Sequence, residues 1–140
     1  MDQDVIRNLK QSIGLLPPGD LTPVRKFYQR VFELAPETRH LFKVDMEVQA
    51  AKLAEMLGWI ADHVDNPKEL VPALHSLGAR HEAYGVTPDH YAPVGSALVW
   101  MFQETLGDRF TEDMEDAWLE AYAFLATEME RGARQVGAAR

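Results

Sequence analysis

Cysteine is absent from this chain of 140 residues. That removes disulfides, thiolate nucleophiles, cysteine-bound zinc, iron–sulfur clusters and covalent haem attachment through Cys-x-x-Cys-His together. Positive charge is scarce: 14 Lys and Arg stand against 22 Asp and Glu, a formal net charge of -8. A surface of that sign argues against nucleic acid or an anionic membrane as partner. No uninterrupted apolar run could span a bilayer, and Met1 to Asp4 lacks the basic start and apolar stretch of a signal peptide. A cytoplasmic protein is expected. Also missing are a Gly-rich phosphate loop, a G-x-S-x-G elbow and an H-E-x-x-H pair. Strand-like alternation, internal repeats and low-complexity tracts are lacking too, which leaves helices.

With 46% hydrophobic residues, one domain over 1–140 can hide roughly two thirds of its unfolded surface. Capping signals divide it. A first helix starts after Asp2 or Asp4, carries Val5, Ile6, Leu9 and Ile13, and breaks at Leu15-Leu16-Pro17-Pro18-Gly19. Thr22-Pro23 reads as N-cap and first helical residue, followed by Val24, Phe27, Tyr28, Val31 and Phe32 on one face. Pro36 opens a short turn ending near Phe42, and a long helix begins about Asp45 with Leu53, Leu57, Ile60 and Val64 inward. Asn66-Pro67 starts a helix that ends at Gly85; Thr87-Pro88 starts another, stopping near Gly107; Thr111 caps the last. Residues from about Gly132 to Arg140 are expected to fray. The fold class is all-α, with six to eight helices.

Two polar residues lie in line with apolar stripes. Leu70, Leu74 and Leu77 step by four and three, and four further on is His81. Gln49 stands four residues before Leu53 on the stripe of Leu57 and Ile60. A buried polar group without a partner costs roughly 1–3 kcal/mol, so each needs one. Periodicity leaves two readings open: a satisfied core histidine with a rim glutamine, or a ligand and an opposing hydrogen-bond donor across a pocket. Glu37-x-x-His40 has the spacing of a carboxylate-bridged two-metal site, but no second copy exists to complete one.

The stretch Arg80-His81-Glu82-Ala83-Tyr84-Gly85-Val86, followed by His90-Tyr91-Ala92-Pro93-Val94-Gly95, resembles the proximal region of bacterial haemoglobins and of the globin domain of flavohaemoglobins. Phe27-Tyr28 with Phe32, Pro36-Glu37, Leu41-Phe42, Gln49-x-x-x-Leu53 and Ala117-Trp118 with Ala121-Tyr122 follow in that family's order, over about residues 2 to 130. The resemblance implies a globin fold sandwiching one b-type haem (iron protoporphyrin IX). It makes His81 the iron ligand through Nε2 and sets Phe42 on the haem face. Tyr28 and Gln49 line the distal side, with Leu53 one turn on restricting access. Val86, Val94 and Leu98 line the proximal half, and Lys52 and Arg80 pair with the haem propionates. Oxygen, nitric oxide and carbon monoxide are the implied ligands. A charge-assisted hydrogen bond to a partly charged ligand is worth about 1.5–3 kcal/mol, so Tyr28 with Gln49 implies tenacious oxygen binding.

The chain departs from flavohaemoglobins on the proximal side. Tyr91 matches their tyrosine, but the position matching their partner carboxylate is Ala133, with Glu130 about one turn away. Reversible oxygen binding is therefore expected first, with nitric-oxide dioxygenase activity where a separate reductase supplies electrons. A gas or redox sensor acting through a partner protein is the alternative. The protein is expected as monomer or homodimer.

Overall fold

The computed structural model describes the backbone of residues 1–139 and the side chains of residues 1–135. Helix α1 (Gln3–Gly14) begins where the Asp2 carboxylate accepts the Val5 amide at 2.9 Å. It ends before Pro17-Pro18, which cannot continue it. Helix α2 (Thr22–Leu34) corrects the expected cap. Leu21 is the N-cap, and it is the Asp20 carboxylate that takes the Thr22 amide, at 2.9 Å. The Asp carboxylate two residues back satisfies the end that Thr22, already helical, cannot.

A 3-10 turn (Pro36–Leu41) leads to Asp45, whose side chain caps α3 (Met46–His63) through the Glu47 amide at 2.7 Å. Helix α4 (Pro67–Ala83) starts on proline, but Asn66 makes no side-chain cap bond. A second 3-10 turn (Pro88–His90) runs into α5 (Tyr91–Leu106), and a third (Gly107–Arg109) leads to α6 (Glu112–Ala139). Thr111 Oγ1 caps α6 by accepting the Met114 amide. The expected fraying from Gly132 does not describe this backbone, which stays helical to Ala139; Arg140 lies outside the described residues. Gly132 is held there by tertiary contact, since it is buried against His75.

No strand occurs among the described residues. Helix α2 lies on α5, while α1 and α4 both lie on α6. The core is built on Trp118, Phe102, Leu9, Leu70, Leu74 and Met101, all fully buried. Trp118 Nε1 donates to Ser12 Oγ at 2.7 Å, and Ser12 donates on to the Leu9 carbonyl, so the one polar edge of that ring is satisfied. Truncating Trp118 or Phe102 to alanine would cost about 3–5 kcal/mol. Helices α3 and α4, by contrast, meet over only a short length. Leu53 and Met56 of α3 and Leu77 of α4 stay half-buried.

Candidate functional site

The central candidate residues lie on α2, α3 and α4 and on the turn before α3. His81 sits in the last turn of α4, where its Nδ1–H donates to the Leu77 carbonyl at 2.8 Å. A carbonyl can only accept, so Nδ1 carries the ring proton and Nε2 keeps its lone pair. Nε2 has no partner among the described residues. Burial is the main cause that holds the imidazole below its ordinary pKa, with the neighbouring Arg80 charge acting the same way against the Leu77 bond. The ring is therefore a neutral donor.

The chain leaves α4 through a left-handed terminator at Gly85, φ 103°. The Gly85 amide bonds the Glu82 carbonyl and the Val86 amide bonds that of His81, both at 3.0 Å. This places Val86 directly over the His81 turn. A Cβ on Gly85 would lie 3.1 Å from Leu41 Cδ2, which brings the end of α4 against the turn preceding Phe42.

Helices α2 and α3 also meet. Gln49 Nε2 donates to the Tyr28 hydroxyl at 3.2 Å. Tyr28 is buried, and desolvation pushes its phenol above the ordinary tyrosine value despite that bond, so it stays protonated with its own hydrogen still to give. Phe42 packs edge-on to Tyr28 with ring centres 5.4 Å apart, and equally on Phe32. The structure thus joins Tyr28, Gln49, Phe32 and Phe42 in one cluster.

Other expected residues are placed less tightly. Leu53 and Val94 are half-buried against the core, and Leu98 is 7% exposed within it. Lys52 and Arg80 are exposed and form no ion pair among the described residues. Tyr91 is half-buried, and its carbonyl accepts the Tyr122 hydroxyl at 2.7 Å. Tyr91, Glu130, Ala133, Glu82, Val86 and Arg134 line a cleft of about 240 Å³. Desolvation first, then the Glu130 charge, raises the Tyr91 pKa, yet no hydrogen bond joins the two; Glu130 lies 3.9 Å from Arg134 instead. Glu37 and His40 are both exposed on their turn.

Haem fits the donor set. A neutral imidazole with a locked tautomer and a free Nε2 suits a haem iron, and half-buried Leu53, Met56, Val86 and Val94 are apolar surface a porphyrin would cover. Sequence reasoning missed Met56, although its i+3 offset from Leu53 was a readable signal. It also missed His75 paired with Glu128, which no local pattern announces because the two are 53 residues apart.

Comparisons with known proteins bear on the family and the fold. A family model described as Globin matches residues 25–129. A flavohemoprotein of Vibrio cholerae is 33% identical over 129 residues, covering 90% of this chain and 33% of that protein. One from Rhodopirellula baltica is 33% identical over 90% of this chain and 32% of its own length. The chain therefore spans about a third of the curated relatives it matches. Among solved structures, an engineered carbene transferase on a Rhodothermus marinus protein described as a nitric oxide dioxygenase superposes with a TM-score of 0.87. It is 32% identical, with 99% of this chain and 97% of that one covered. A bacterial globin from Campylobacter jejuni gives 0.84 at 21% identity over 98% and 99% of the two chains, a likeness of fold.

Proposed function

The chain belongs to the globin family, and from that premise we propose that it holds one b-type haem through His81 Nε2 and binds oxygen, nitric oxide and carbon monoxide on the side of Tyr28 and Gln49. One observation carries the reading: Nδ1 of His81 is committed to the Leu77 carbonyl, which leaves Nε2 as a free, neutral donor. When bound, haem would supply an iron able to take up a diatomic ligand. What the protein adds can be read from its side chains. His81 is kept neutral by burial and is oriented by its backbone bond. Gln49 holds the Tyr28 hydroxyl oxygen, so the Tyr28 proton points to whatever acceptor occupies the pocket. Leu53, one turn from Gln49, limits bulk water, and Phe42 braces Tyr28 from the side. Lys52 and Arg80, exposed and in no ion pair among the described residues, would meet the two propionates.

A buried Tyr28 hydroxyl that keeps its hydrogen and is steadied by Gln49 suits a ligand that is retained and consumed. Nitric-oxide dioxygenation follows as the proposed reaction, in which one nitric oxide, one oxygen and one electron give one nitrate. The electron comes from a separate reductase. The relatives named as flavohemoproteins and the Rhodothermus marinus protein support this reading. It is tested by supplying haem-loaded protein with a reductase and nitric oxide in air. Sustained formation of one nitrate per nitric oxide supports the reaction; consumption that stops after one equivalent per haem, with reductant still present, rejects it and leaves ligand binding alone. Among the described residues no helix is long and apolar enough to cross a membrane.

A further inference from the structure

Among the described residues three polar side chains are buried: Ser12, Thr38 and Glu128. Ser12 and Thr38 are satisfied by carbonyls three residues back, with Ser12 also accepting from Trp118. Glu128 is a carboxylate, 6% exposed, met by His75 Nε2 of α4 at 2.7 Å and by Arg131 of its own helix at 2.8 Å. Burying a carboxylate costs several kcal/mol unless it is well paired, so this cluster constrains where α4 can lie.

The backbones tighten that constraint. A Cβ on Gly78 would stand 1.8 Å from the Met129 carbonyl oxygen, and one on Gly132 would stand 2.0 Å from that of His75. His75 opposite Gly132 and Gly78 opposite Met129 set α4 and α6 antiparallel in direct backbone contact. Upstream, Pro72 gives α4 no amide to bond the Lys68 carbonyl, so one rung is missing before His75. The segment from His75 to Ala83 is therefore referenced to α6, and His81 lies three residues past Gly78. No side-chain layer separates the helices at this crossing to absorb a slip.

We propose that Glu128, through His75, is a positioning residue for His81: the pair fixes α4 along α6 and so sets how Nε2 is presented to the haem. This rests on the haem reading above. The test uses haem-loaded protein with His75→Leu, which removes the donor, His75→Gln, which restores one, and Ser12→Ala as a control. Ser12→Ala strips a buried bond at the α1–α6 contact, away from α4. The iron–histidine stretching band of the ferrous protein and the rate of haemin transfer to an acceptor globin are measured beside urea stability. His75→Leu is expected to shift the band and to speed haemin loss about fivefold, a fraction of a charged hydrogen bond. His75→Gln should return both toward wild type, and Ser12→Ala should lose stability while leaving both unchanged. If His75→Leu does not fold, adding Glu128→Gln removes the stranded charge and carries the same measurement. An unmoved band in folded His75→Leu, or an equal shift in Ser12→Ala, overturns the proposal while haem binding stands. Wild-type protein that shows no iron–histidine band sinks both.

Discussion

Gln49 on α3 donates to the hydroxyl of Tyr28 on α2 across 3.2 Å, so the two side chains are joined across the contact of their helices. Gln49 thereby spends a donor on Tyr28, and Tyr28 keeps its own. In the proposed reading the Tyr28 hydroxyl is the donor that holds a ligand, and the second Nε2–H of Gln49 can assist it.

Tyr28→Phe should accordingly raise the oxygen dissociation rate roughly ten- to a hundredfold, the worth of one charge-assisted hydrogen bond. Carbon monoxide, which polarises less, should be released at a rate changed far less. Stopped-flow replacement of each ligand measures both. Equal acceleration of the two gases would mean that Phe merely opened the pocket.

Gln49→Leu should act on oxygen partly through Tyr28, because it frees the hydroxyl to rotate. The effects of Gln49→Leu and Tyr28→Phe should then fall short of additivity in the double variant, by about 0.5–1.5 kcal/mol in the dissociation barrier. Strict additivity would show that the two side chains contact ligand independently.

Tyr28 and Tyr122 both have phenols raised above the ordinary value near 10, chiefly by burial, with Tyr91 and Glu130 adding to Tyr122. A raised folded value means the unfolded chain releases these protons first. The stabilisation is whole below about pH 10 and is lost as pH climbs toward the folded values. Urea midpoints of the haem-free protein should therefore fall from about pH 10 upward, and less steeply in Tyr122→Phe. That variant should pay for the lost bond to the Tyr91 carbonyl with about 0.5–1.5 kcal/mol at neutral pH.

Glycine substitutions separate contact from open space. Gly78→Ala drives a methyl into the Met129 backbone and should cost about 1–3 kcal/mol or more. Gly58→Ala, mid-helix in α3 with nothing within 4 Å, should gain about 0.5–1 kcal/mol. Thermal unfolding of the pair checks the sign of each.

Much of this was legible in the sequence because the signals are local. Asp2, Asp45 and Thr111 mark helix starts through their side-chain oxygens, Pro67, Gly85 and Gly107 mark ends through their backbones, and each end lies where the pattern puts it. His81 was legible through its stripe with Leu70 and Leu74, and its need for a carbonyl partner is met by Leu77. Thr22 misled because Thr-Pro suits an N-cap equally well, and only the loop path shows that Asp20 reaches the amide first. The helical end of α6 was illegible because Gly132 reads as a breaker until α4 is laid against it. Glu128 was hidden for the same reason. Its burial is created by His75, from another helix.

The most direct measurement is the absorption spectrum of the purified protein titrated with haemin, ferric, ferrous and with carbon monoxide, beside His81→Ala. Wild type should take up one haem with a strong Soret band and form a stable carbon monoxide adduct, and His81→Ala should lose most of the haem unless imidazole is added. A folded wild type that stays colourless, or a His81→Ala protein with an unchanged spectrum, would contradict the account.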